Sequence, residues 1–165
     1  MVRKILKKQK NHFWLLPALE KDQKIYPKNM TNIGELRSII DSSVLIAFFN
    51  KQDEFFRQAK TLIASQATQV LLLDAVVHET LALLRKRVGK SVATKAAEEM
   101  LNSSFFVLQV CDEVVVKNSL DLFINKKAKY SFADCVIITQ SKLAKAVVLT
   151  FDKHFKNFNL QVIPS

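Results

Sequence analysis

The sequence predicts an α/β domain built on a mainly parallel sheet flanked by helices. Two observations carry this. From Ser38 onward, short apolar runs of strand length alternate with longer segments of helical spacing, the order that builds strand–helix–strand crossovers. The runs Val70–Leu73 and Ala146–Leu149 are apolar at every position. That is the pattern of strands covered on both faces, not the alternation of a sheet with one wet face. At 165 residues, 49% of them apolar and 24% charged, one domain with a real core is expected.

The elements follow in order. Residues 1–37 hold two of the three prolines and show weak periodicity. They read as an N-terminal extension, loosely ordered or carrying one short helix, with Met30 as an alternative start. Residues 38–165 read as the functional domain. "SIID" is a strand, and "SVLIAFF", apolar all round, is the start of a buried helix. "DEFFRQAKTLIASQA" places Phe55, Phe56, Ala59, Leu62, Ile63 and Ala67 at helical spacing. "QVLLLD" is the second strand. "AVVHETLALLRKRVG" is a helix closed by Gly89, and "SVATKAAEEMLNS" another, with Ser91 as its cap. "FFVLQV" is a strand, "DEVVVKNSLDLFINKK" and "SFADCVIITQSKLAK" are helices, and "AVVLTFD" and "LQVIP" complete the sheet.

Composition removes whole classes of function. The chain has only two glycines, Gly34 and Gly89, against an average share of about 7%. A phosphate-cradling P-loop or a dinucleotide fingerprint needs several in one turn. The net charge is +10; residues 1–37 supply +6 of it, with 9 Lys/Arg against 3 Asp/Glu. A basic balance favours polyanionic partners such as nucleic acid. Cys111 and Cys135 show no paired spacing, which points to a reducing compartment. The apolar stretch Phe13–Leu19 contains Pro17, is followed by no small-x-small cleavage site, and is far too short for a bilayer. A cytoplasmic protein with no membrane partner is expected.

Ligands of parallel α/β sheets bind beyond the carboxyl ends of the strands, and acids cluster in those places. "SIID" ends at Asp41 and "VVLTFD" at Asp152. "QVLLL" runs through Asp74 into a helix whose second turn carries Glu79. Asp134 stands in the first turn of "SFADCVIITQ". Each acid has a plain structural explanation: Asp41 as a helix cap, Asp134 at a helix dipole, Asp152 in a turn, Glu79 on the surface. Together they are harder to dismiss, because apolar neighbours at core-facing spacing make unpaired carboxylates costly. Clustered acids repel unless a divalent cation offsets them. All-oxygen ligands suit Mg²⁺ or Mn²⁺, ions that activate water and clamp phosphoryl oxygens.

Other site types fail. His78-Glu79 would need histidine at position 82 to read as a zinc protease, and position 82 is Ala82. Ser42 and Ser43 lack the glycines of a hydrolase elbow. His12, His78 and His154 have no ligand spacing with the cysteines. His154 reads as a loop residue near Asp152.

Four segments, "IIDSSVLIAFF", "LLLDAVVHETLALL", "YSFADCVIITQSK" and "VVLTFDKHF", resemble the PIN-domain family, in particular its single-domain toxin ribonucleases of the VapC type. The resemblance covers about residues 38–158, in the family's order and at its approximate separations. It implies a compact three-layer α/β/α sandwich and a metal-dependent endoribonuclease site. Carried over by position, Asp41, Glu79, Asp134 and Asp152 would form an acidic quartet. Asp41 would be the central ligand of Mg²⁺ or Mn²⁺ and Asp134 would share that ion; Glu79 and Asp152 would act through water or hold a second one. Ser43 would orient Asp41 or a bound water, and Thr150 is a weaker candidate for the same role. The family also implies a cognate antitoxin and a homodimer. Residues 1–37 have no counterpart in a minimal toxin.

For the RNA substrate, Arg85, Lys86, Lys127 and Lys153 are the expected contacts, within basic runs that include Arg87, Lys126, Lys129 and Lys156. Lys86, two turns beyond Glu79, shares its helix face. Tyr130 and Phe155 have rings able to stack on bases, although the core is the better place for Phe155. Competing readings are a non-catalytic PIN-like module for RNA binding or assembly, and an α/β domain whose acids are only caps.

Overall fold

The computed structural model describes residues 38–125 and 130–164. The expectations for residues 1–37 and for Lys126, Lys127 and Lys129 lie outside the described residues. Five strands form one sheet: β1 (Ser38–Ile40), β2 (Val70–Leu73), β3 (Phe106–Gln109), β4 (Val147–Leu149) and β5 (Val162–Ile163). Their order is β3-β2-β1-β4-β5, and every pairing is parallel. The connections hold α1 (Ser42–Phe49), α2 (Phe56–Ala64), α3 (Asp74–Arg87), α4 (Lys90–Asn102), α5 (Glu113–Asn125) and α6 (Phe132–Ala144), and a 3₁₀ helix spans Lys153–Phe158. Each element expected from the sequence is present, and the sheet is parallel throughout rather than mainly so.

Burial follows position in the sheet. All residues of β1, β2 and β4 are buried, because helices cover both faces of the sheet centre. Burying each large aliphatic side chain there contributes about 1.5–3 kcal/mol. β3 lies at an edge, and its Leu108 stays 61% exposed. α6 enters the interior so deeply that every residue from Cys135 to Ser141 is buried. Phe155 is 2% exposed and belongs to the core. Among the described residues, no helix is long and apolar enough to cross a membrane.

One expected cap is corrected. Gly89, not Ser91, is the N-cap of α4, which starts at Lys90. Gly89 also closes α3, its N–H donating to the Leu84 carbonyl at 3.0 Å. Its φ of +124° is a conformation that side-chain-bearing residues avoid. Val88 and Gly89 thus make the whole link between the two helices, which leaves no separate turn for Ser91 to cap.

The strand order fixes where a site can form. From β1 the chain winds outward through β2 to β3, then returns across the sheet to β4 and β5. The connections leaving β1 and β4 therefore diverge, and a crevice opens at the carboxyl ends of these two neighbours. The last register pair is Ile40 with Leu149, and the next residues of the two strands are Asp41 and Thr150.

Candidate active site

Asp41 is 2% exposed. Its N–H donates to the Leu149 carbonyl at 2.9 Å, which ties it to the sheet. Although Asp41 occupies the N-cap position of α1, its side chain caps nothing. Oδ2 instead accepts hydrogen bonds from Ser43 Oγ at 2.6 Å and Thr150 Oγ1 at 2.7 Å. The loop after β4 fixes the polarity of both hydroxyls. Phe151 N–H donates to Ser43 Oγ at 3.1 Å, and Asp152 N–H to Thr150 Oγ1 at 2.9 Å. With lone pairs so engaged, each hydroxyl is free to direct its one proton at Asp41. Thr150, the weaker candidate in the sequence, is as close to the carboxylate as Ser43.

Ser42 does something the sequence reading did not assign to it. Its hydroxyl lies 2.6 Å from Glu79 Oε2 and 3.4 Å from Asp41 Oδ1. The side chains of Ser42 and Ser43 are both spent on carboxylates. A hydroxyl has one proton, and the shorter contact takes it, so Ser42 holds Glu79 beside Asp41. Oδ1 of Asp41 is then the oxygen with lone pairs to spare. The signal was there in the sequence: a second hydroxyl adjacent to the acid. Its partner, though, comes from α3, 37 residues away.

Asp134 forms a reciprocal capping box with Ser131. Ser131 N–H donates to Asp134 Oδ2 at 2.7 Å, and Asp134 N–H to Ser131 Oγ at 3.1 Å. The helix-end reading of Asp134 is thus correct as far as it goes, and the box also fixes its place in the site. Burial, helped by the charges of Asp41 and Glu79, pushes its pKa up to about 6, against the Ser131 hydrogen bonds that lower it. Burial raises that of Asp41 as well. The hydroxyls of Ser43 and Thr150 and a backbone donor pull the other way, and Glu79 adds a smaller upward push. Asp41, Glu79 and Asp134 therefore share one electrostatic site.

Asp152 stands apart from this trio. It caps the 3₁₀ helix, its Oδ1 accepting from His154 N–H at 2.8 Å and lying 2.7 Å from His154 Nδ1. It does line a cleft of about 370 Å³ that Ser42 and Ser43 also line. Each acid is turned onto local donors, and among the described residues no three His, Cys, Asp or Glu side chains are gathered as a ready-made ligand set.

Of the basic run on α3, Arg87 rather than Arg85 or Lys86 lines that cleft, with Leu83. Glu79, Leu83 and Arg87 are spaced i, i+4, i+8, so the helix face continues through Arg87. Arg85, Lys86 and Lys153 are exposed, and Lys153 borders a neighbouring cleft. Tyr130 packs edge-on against Phe158 and His154, with ring centroids 5.0 and 6.0 Å away. Cys111 and Cys135 are free thiols. Burial and a hydrogen bond with Asp74 push the Cys111 thiol up to about 12, which disfavours the thiolate at neutral pH.

Replacing Thr150 by valine tests the hydroxyl network. The change keeps shape, removes one donor from Asp41 and leaves Asp152 N–H without its acceptor. Thr150→Val is expected to lose about 1–3 kcal/mol in urea denaturation at pH 7 without metal. An unchanged midpoint would mean that the hydroxyl does not support Asp41.

Known structures share this arrangement of strands. The chain is similar to the Mycobacterium tuberculosis toxin VapC20, described as cleaving the sarcin–ricin loop, with a TM-score of 0.69 and 24% identity over 74% of this chain and 95% of the other. FitAcB from Neisseria gonorrhoeae gives 0.59 and 18%, over 76% and 95%. VapBC2 from Rickettsia felis, solved with a DNA fragment from its promoter, gives 0.58 and 16%, over 77% and 97%. At these identities the likeness is one of fold. No curated protein sequence matches the chain. Residues 38–159, well over half of it, match the sequence model of the PIN domain. The parallel sheet and the acids at its switch point therefore have a family: this chain belongs to the PIN-domain proteins.

Proposed function

We propose that this chain is an endoribonuclease dependent on Mg²⁺ or Mn²⁺ and the toxin of a type II toxin–antitoxin pair. One observation carries the reading: at the switch point of the sheet the Ser42 hydroxyl joins Glu79 to the start of α1 beside Asp41, and the charges of Asp41 and Glu79 both reach Asp134. Two of these carboxylates, Asp41 and Asp134, are pushed toward protonation chiefly by burial, and such a group of acids is a natural seat for a hard divalent cation.

The donor set fits such an ion. Asp41 offers Oδ1, Glu79 is held alongside it by Ser42, and Asp134 supplies a third charge; Asp152 at the cleft wall completes the proposed quartet. When bound, the ion supplies Lewis-acid activation of a phosphodiester and of water. The chain's own residues do the remaining work. Ser43 and Thr150 keep Asp41 oriented, Ser131 fixes Asp134 at the start of α6, and Arg87 and Lys153 offer positive charge at the clefts beside the acids. Arg85, Lys86 and Lys127 complete the proposed RNA contacts.

The complexes among the structural neighbours support a cognate antitoxin as partner. A homodimer is also proposed, in keeping with the exposed apolar side chains Leu108, Val110 and Val114. A cytoplasmic location agrees with the free thiols.

The test is RNA cleavage by the purified chain with Mg²⁺, with Mn²⁺ and with a chelator. Cleavage is expected with either ion, and a fall to background on chelation. Full activity in chelator would overturn the metal-dependent reading.

A further inference from the structure

The sequence pattern groups Phe55 with the apolar face of α2, but the structure leaves it 37% exposed at the start of that helix. Its ring stacks on Phe151, with centroids 5.0 Å apart and planes 22° from parallel. This pair borders two clefts at once. One is the 370 Å³ cleft of Ser42, Ser43 and Asp152, where Arg87 is the only cation among the lining residues. The other, of about 250 Å³, is lined by Thr150, Lys153 and Lys156. Among the described residues, none of these three cations forms an ion pair.

We propose that Phe55, backed by Phe151, is a base-stacking platform on a single-stranded RNA path that passes the acidic site, with Arg87 on one side and Lys153 and Lys156 on the other. This deepens the ribonuclease reading and rests on it. Exposed aromatic faces between cations are how proteins hold unpaired nucleotides: the ring takes the base, the cations take the flanking phosphates. A duplex has no free base to offer such a ring. The Arg87 cleft also carries Asp53 and Glu54, which disfavour a second phosphate there. Carboxylates do accept hydrogen bonds from base amino groups, so a neutral base is the better occupant of that cleft.

The test uses the full chain carrying Asp41→Asn, so that RNA is bound without being cut, and a labelled pool of short single-stranded RNAs of random sequence. Phe55→Ala and Phe55→Leu are each expected to weaken binding about 5- to 100-fold; leucine keeps the apolar bulk but lacks the flat face. Phe55→Trp is expected to keep binding, with its fluorescence quenched as RNA is added. Arg87→Ala and Lys153→Ala are each expected to flatten the salt dependence by about 0.7 in the log–log slope, the contribution of one phosphate contact to a single strand.

Parental affinity in Phe55→Leu, or an unquenched tryptophan, would overturn the platform. So would quenching by a protein partner but not by RNA. Metal-dependent cleavage by the wild type with a KM unchanged in Phe55→Leu overturns the platform alone and leaves the ribonuclease reading standing. Neither binding nor cleavage of RNA overturns both.

Discussion

Asp41→Asn is expected to abolish RNA cleavage while making the metal-free protein more stable. The two effects have one cause. Asp41 is an almost fully buried acid whose pKa burial raises, so its ionised form costs the fold free energy at neutral pH. Asparagine removes the charge but keeps the shape. Its carbonyl can still accept from Ser43 and Thr150, and its amide can donate toward Ser42 and Glu79. The melting temperature in chelator should therefore rise, by about 2–4 °C for each kcal/mol gained. Activity should fall by at least about 100-fold, since loss of the proposed direct ligand would exceed the 10- to 100-fold effect of its supporting residues. Calorimetry with chelator and a cleavage assay with Mn²⁺ measure the two sides. A destabilised but active variant would overturn the assignment of Asp41.

The second large effect is a stability that falls as pH rises. Asp134 has a folded pKa near 6 against an ordinary 3.8. A raised pKa means that the folded state holds its proton more tightly than the unfolded state. The favourable contribution is complete below about pH 3.8 and is lost as pH rises through about 6. Its size has an upper bound of about 3 kcal/mol, reduced by the solvent that reaches this half-buried group. Asp41 acts in the same direction.

In chelator, the stability difference between Asp134→Asn and wild type should therefore grow between pH 4 and 7, in favour of the variant. Adding Mg²⁺ or Mn²⁺ at pH 7 should reverse it, because a cation that binds the carboxylates replaces the protons and stabilises the folded state. Urea denaturation across that pH range, with and without the ion, measures both. A difference independent of pH, or unmoved by the ion, would mean that Asp134 is only the capping residue its box describes.

Much of this was legible in the chain. Strand and helix assignments rested on periodicity, a local property, and held through to β5. The acids could be found because a carboxylate amid apolar neighbours is conspicuous. What periodicity could not supply was the orientation of side chains across elements. Asp41 read as a cap, yet it turns to hydroxyls from its own helix and from the end of β4, and Ser42 turns to α3. Lys86 was chosen for its face from helical spacing; Arg87, one residue on, lines the cleft, because the face through Glu79 and Leu83 drifts that way. Phe55 fitted the apolar stripe of α2 and lies outside it, since the helix begins only at Phe56.

The sequence by itself determined the class of fold and the order of its elements, and it singled out four candidate acids. Hydrophobic patterning and residue chemistry act over a few residues and need no knowledge of distant partners. Only the tertiary structure decided that Ser42 turns to Glu79 and that the charges of Asp41 and Glu79 reach Asp134, and that Asp152 stands at the cleft wall with His154. It also decided that Thr150 shares the work of Ser43. The hydrogen bonds of Ser42 to Glu79 and of Thr150 to Asp41 span 37 and 109 residues. They exist because a strand order that reverses between β1 and β4 brings remote chain segments to one crevice, where burial raises the energy of every charge it admits.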